Sequence, residues 1–139
     1  MKRAVERRLL QGVIAATCTV SLSASVTSIL NGPGWLMQDG YVATDLDSHF
    51  RYLSGLLLAI AIGFLSCIPG IERKGPRLRL LAAIVVLGGL SRAYSIGMVG
   101  VPSFGHLGGL TIELVIVPLI TGWQWSFARR ANREAAELL

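Results

Sequence analysis

Residues 80–125 read LLAAIVVLGGLSRAYSIGMVGVPSFGHLGGLTIELVIVPLITGWQW. Over that whole length only Arg92 and Glu113 carry charge, and the apolar run is broken once, at Gly100-Val101-Pro102-Ser103. Glycine and proline this close together end a helix by turn chemistry. Each half is near the ~20 residues that cross a hydrocarbon core of about 30 Å. A soluble core helix of such length would show a polar face. The stretch therefore predicts two membrane-spanning helices, about 80–99 and 104–125, joined by a short uncharged turn.

Working outward, two further apolar runs precede it, about 9–30 and 48–68. The first is rich in small hydroxyl residues (Thr17, Thr19, Ser21, Ser23, Ser25, Thr27, Ser28), which a bilayer tolerates because their hydroxyls bond back to helix carbonyls. A cleaved signal peptide is the competing reading of this run, given its basic start and the small residues around Ser23 and Ser25. Asn31-Gly32-Pro33-Gly34 ends it. The loop that follows holds Asp39, Asp45 and Asp47 with no Lys or Arg, and Trp35, Leu36, Met37 and Tyr41 suit the headgroup level, where a short amphipathic piece is expected to lie. Asp47 or Ser48 is the expected N-cap of the second run, and Pro69-Gly70 closes it. A basic loop, Glu72 to Arg79, leads back to the third run. The tail from Ala128 to Leu139, with Arg129, Arg130 and Arg133 before Glu134 and Glu137, reads as a short surface helix.

The 139 residues fit one domain, 1–139, with 53% hydrophobic and 15% charged residues, against roughly 25% charged in an average soluble domain. The net charge of +5 does not point to nucleic acid, because its basic residues cluster at segment ends. Eleven of the thirteen Lys and Arg fall in the N-terminal segment, the middle loop and the tail, and the outer loops have none. Positive-inside bias then predicts an all-α polytopic protein, an antiparallel four-helix membrane bundle with both termini cytoplasmic. Cys18 and Cys67 lie inside apolar runs without a CxxC spacing, so no disulfide or zinc site is expected. No HExxH, GxSxG, GxGxxG or P-loop pattern is present, and neither a catalytic residue nor a cofactor is expected.

Small residues at spacing four, Gly55-Ala59-Gly63, Gly89-Ala93-Gly97 and Gly105-Gly109, predict close helix packing. The charged residues inside the runs are the functional clue. At 1.5 Å per residue, Arg92 and Glu113 both lie roughly 10–14 Å from the outer surface. A lipid-facing charge there costs at least ~2–3 kcal/mol, so the two are expected to pair. Arg51 would join them from above or pair with Asp47 one turn earlier. Tyr52 and Tyr94 would add hydrogen bonds, and His49 and His106 would rim the outer opening. The competing reading is an Arg–Glu clasp that fixes helix register. A metal site from His49, His106, Asp47 and Glu113 lacks diagnostic spacing.

The run His49-Phe50-Arg51-Tyr52-Leu53-Ser54-Gly55-Leu56, then Gly88-Gly89-Leu90-Ser91-Arg92, then Glu113-Leu114 with Pro118, resembles a bacterial membrane family catalogued as domain of unknown function 4345. The resemblance spans nearly the whole chain, touches Arg51, Gly55, Arg92 and Glu113, and implies a four-span bundle without an assigned reaction. Bacterial inner-membrane residence follows as an expectation. The expected role is a lipid- or small-amphiphile-binding protein or accessory subunit, in contact with membrane lipids, with an anionic lipid or amphiphile at the Arg/Glu cluster. A larger membrane complex or a homo-oligomer is the further partner expected. The alternatives are a small proton-coupled transporter using Glu113, and a membrane enzyme on lipid or quinone using His49, His106 and Glu113. Small multidrug exporters carry their key glutamate in the first helix, unlike this chain.

Overall fold

The computed structural model describes residues 2–36 and 41–136. Met37, Asp39 and Glu137 of the sequence reading lie outside the described residues. The described chain is all helical. The helices are α1 (Lys2–Asn31), α2 (Thr44–Leu65), α3 (Gly75–Val99), α4 (Phe104–Thr111) and α5 (Val117–Ala136), with a π-helical turn at Ile112–Ile116 that makes α4 and α5 one continuous rod. Short 3-10 turns at Gly32–Leu36 and Ile71–Arg73 complete it. Four helical stretches are long and apolar enough to cross a membrane: Arg3–Leu36, Thr44–Leu65, Gly75–Val99 and Phe104–Glu134.

Several boundaries differ from the sequence reading, among them the start of α1, at Lys2 instead of about residue 9, and the end of α2, at Leu65 instead of about 68. α2 begins at Thr44 with Ala43 as N-cap, so Asp45 and Asp47 fall in the first helical turn instead of Asp47 or Ser48 capping it. Carboxylates there are favoured by the positive end of the helix dipole. α3 begins at Gly75, so Arg77 and Arg79 are helical, because Pro76 suits the first turn, where its missing N–H is no loss. The tail is no separate helix: α5 runs unbroken to Ala136. Nothing between Trp125 and Ala136 breaks a helix, and Arg, Ala and Glu favour one.

The chain forms two compact units, one of Met1–Ile14 with Cys67–Leu139, the other Ala15–Ser66. In the first, α3 packs on the π turn and on α5. Leu10, Ile14, Cys67, Ile71, Leu78, Phe127 and Ala131 are buried there. The turn at Ile71–Arg73 is held by two amides: Gln11 Nε2 donates to the Ile68 carbonyl at 2.8 Å, and fully buried Gln124 donates to the Ile71 carbonyl at 2.8 Å. In the second unit the hydroxyls bond back to their own helix, Ser25 to the Ser21 carbonyl at 2.6 Å and Ser54 to that of Phe50 at 2.7 Å.

Five glycines of the small-residue ladders differ in what they meet within the chain. A Cβ at Gly55, Gly97, Gly105 or Gly109 would meet nothing within 4 Å, whereas at Gly89 it would lie 2.7 Å from Leu114 Cδ2. Only Gly89 among these five therefore needs to be glycine for contact inside the chain.

Gln124→Leu removes the shorter of the two bonds to the Ile71 carbonyl, leaving it the 3.4 Å bond from the Lys74 N–H. A loss of about 1 kcal/mol is expected. Thermal unfolding in detergent checks it, with faster proteolysis between Pro69 and Lys74 as the local signature.

Candidate functional site

The first unit places Arg92 and Glu113 in a two-pronged ion pair. Arg92 Nε donates to Glu113 Oε2 at 3.1 Å, and Nη2 to Oε1 at 3.1 Å. The Arg92 side chain keeps 33% of its surface and that of Glu113 only 18%. Among the described residues, Arg92 Nη1 makes no hydrogen bond.

Local sequence explains the geometry. Pro118 lacks an N–H for the Leu114 carbonyl, and its ring crowds that oxygen in a regular α-helix. The helix answers with a π turn just upstream, in which the Val117 N–H bonds to the Ile112 carbonyl. Such turns carry one extra residue and often mark functional positions. Glu113 sits inside this one. Across from it, Gly89 leaves room: a Cβ there would be 2.9 Å from Glu113 Cβ. Glycine on α3 and the widened turn opposite thus bring the carboxylate within reach of Arg92, three residues beyond Gly89.

Arg51 belongs to a different arrangement, in the second unit. Its Nε donates to Asp47 Oδ2 at 2.7 Å and its Nη2 to Oδ1 at 3.2 Å. Its Nη1 donates to the carbonyls of Ile29 and Leu30. These are among the last carbonyls of α1, which lack intrahelical partners. Arg51 is therefore a C-terminal cap for α1, steered by Asp47. Gly32 follows α1 with φ +65, and a Cβ there would collide with the Asp47 carboxylate and lie 2.7 Å from Arg51 Nη2. The Asn31-Gly32-Pro33-Gly34 stop and the Asp47–Arg51 pair are thus one device.

The remaining residues of the sequence-derived group are more loosely held. His49 and Tyr52 face each other with ring centroids 6.3 Å apart. Tyr52 and Tyr94 are exposed, and no hydrogen bond from either phenol to Arg92 or Glu113 is seen among the described residues. His106 Nδ1 lies 3.0 Å from Ser103 Oγ at the start of α4, as a local cap contact. Among the described residues, no three His, Cys, Asp or Glu side chains converge as a metal site would require.

The family model of a domain of unknown function, DUF4345, matches residues 8–124. The chain belongs to the DUF4345 family. The match takes in both ion pairs, the π turn and Pro118 of this DUF4345 chain. With its four apolar helices, this is a helical membrane protein. No curated protein and no solved structure gives a match.

A second charged network was not anticipated. In the first unit, Arg3 meets Glu134 at 2.8 Å, Arg130 meets Glu6, and Trp123 Nε1 donates to Glu6 Oε1 at 3.0 Å. Arg7 Nε stands 3.7 Å from Glu72 Oε2. Three of the eight acidic residues thus lie among the basic clusters at the segment ends. The signal was in the sequence, as acids (Glu6, Glu72, Glu134) beside basic clusters and lone amides (Gln11, Gln124) at the edges of apolar runs.

Arg92→Leu or Glu113→Leu alone leaves one uncompensated charge in an apolar span, and a loss of about 2–3 kcal/mol is expected for each. The double variant should lose less than either single one, since both charges leave together. A double-mutant cycle on detergent melting checks the sign of the coupling.

Proposed function

We propose that this DUF4345 chain is a four-span protein of a bacterial cytoplasmic membrane, with antiparallel spans and both termini on the cytoplasmic side. Two observations support this topology. The outer turn at Gly100–Ser103 is uncharged, and the N-terminal segment, the middle loop and the C-terminal helix, which carry most of the basic residues, meet in one ion-pair network. Charge segregation of this kind orients spans.

Its role is to bind the polar head of a lipid or small amphiphile, alone or as an accessory subunit. The observation that carries this reading is the free edge of Arg92. Two of its nitrogens are spent on Glu113, while Nη1 is left with two N–H donors at a depth where water is scarce. An unpaired donor in hydrocarbon is costly, and a phosphate, carboxylate or ester oxygen of an amphiphile would satisfy it. The pairing argues against the transporter alternative in its simplest form, because both oxygens of Glu113 are already engaged. Low self-burial of the spans suits a protein whose faces are completed by lipid or by partner chains.

Two measurements test the reading. In a background with Cys18 and Cys67 replaced by alanine, a Val101→Cys variant in intact cells should react with a membrane-impermeant maleimide and a Lys74→Cys variant should not. The reverse pattern would overturn the orientation. Native mass spectrometry of gently extracted protein should show a retained amphiphile that the double variant Arg92→Gln, Glu113→Gln has lost while keeping a folded melt. Equal retention by both proteins would remove Arg92 from the site.

A further inference from the structure

A cleft of about 570 Å³ opens in the first unit, lined by Arg3, Arg7, Arg8, Gln11, Glu72 and Phe127. It lies where the first turns of α1 meet the Ile71–Arg73 turn and α5. Its apolar base is Phe127, 2% exposed, with the Arg3 guanidinium 6.0 Å from the ring centroid. The volume is in the range of small-molecule sites.

The charges in the cleft do not cancel. Arg3 is matched by Glu134. Arg7 has Glu72 beside it, at 3.7 Å from Nε, too far for a hydrogen bond. Arg8 is exposed and has no ion pair or hydrogen bond among the described residues. Three arginines against Glu72 and Glu134 leave one positive charge over, with the outer edges of Arg7 and Arg8 unspent. Glu72 Oε2 is buried and accepts no hydrogen bond among the described residues.

We propose that this cleft binds a phosphate group carrying a hydroxylated neighbour, of the glycerophosphate class. Guanidinium groups of Arg7 and Arg8 take the phosphate oxygens in the forked geometry that arginine favours. The Glu72 carboxylate accepts a hydrogen bond from the hydroxyl, and the single surplus charge matches a phosphodiester. The level of the cleft suits a lipid headgroup. Trp123, an interfacial type of residue, donates to Glu6 on the same turns of α1, and Arg8 borders the apolar run from Leu9. Basic pockets between membrane helices are suited to anionic headgroups. The site is independent of Arg92 and Glu113.

The test uses the full chain in nanodiscs and in detergent. Native mass spectrometry compares retention of phosphatidylglycerol with phosphatidylcholine of the same acyl chains, and calorimetry in detergent titrates glycerol 3-phosphate. A preference for phosphatidylglycerol is expected that falls about fivefold in Arg8→Ala, with Arg133→Ala, outside the cleft, unchanged. Binding of glycerol 3-phosphate with the same Arg8 dependence, without a lipid preference, would support the site with a soluble ligand. Retention that is equal for both lipids with no titration by glycerol 3-phosphate, or a preference untouched by Arg8→Ala in a protein with a normal melt, overturns the proposal.

Discussion

Pro118 has no N–H to give, and the carbonyl of Leu114 must be accommodated without it. From that constraint the arrangement of the α3 hairpin follows. The π turn at Ile112–Ile116, closed by the Val117 N–H on the Ile112 carbonyl, lies just before Pro118 and turns the preceding helix by about 100° relative to an unbroken α-helix. Glu113 lies on the widened segment, Gly89 makes space opposite, and Arg92 closes the pair through two nitrogens. Backbone chemistry at one proline thus sets the aim of a carboxylate five residues away, and the carboxylate in turn gives α3 its mate.

The spans and the pairing partners within the hairpin were legible because both depend on one-dimensional quantities, apolar length and distance from a turn. The helix ends were less so. Thr44 and Gly75 start their helices earlier than hydropathy indicates, since polar first turns are stabilised by dipole and proline effects that an apolar window does not register. The π turn has no hydrophobic period of its own, and Pro118 is its sole trace in the sequence. The glycine ladders were only partly legible, for a different reason. Spacing identifies residues that share a face but says nothing of what that face meets, and of the five glycines probed only Gly89 meets another part of the chain closely.

Arg51 and Arg92 illustrate how similar residues diverge by context. Depth alone placed them together as a pool of positive charge. Arg51 has an aspartate one turn earlier on its own helix and two helix-end carbonyls beside it, so four of its five N–H donors are used on Asp47 and the end of α1. Arg92 has no local acid and must find Glu113 across a hairpin. The capacity left over after structure is satisfied, and not the formal charge, distinguishes an arginine that can meet a ligand from one that cannot. By the same measure Arg8 stands out at the other end of the unit, and Gln11, which donates to the Ile68 carbonyl, does not.

In an apolar 18-residue stretch of each candidate span only 11–22% of the residues are buried. Hydrophobic attraction does not draw helices together in hydrocarbon, where lipid tails are as apolar as leucine. The helices and their association therefore answer to different masters: the individual rods are maintained by the absence of water, and their packing inside each unit by a handful of ion pairs, amides and one tight glycine. A gentle change of surrounding amphiphile would rearrange tertiary contacts while every rod stayed intact, so the bilayer acts for this protein as most of a hydrophobic core supplied from outside.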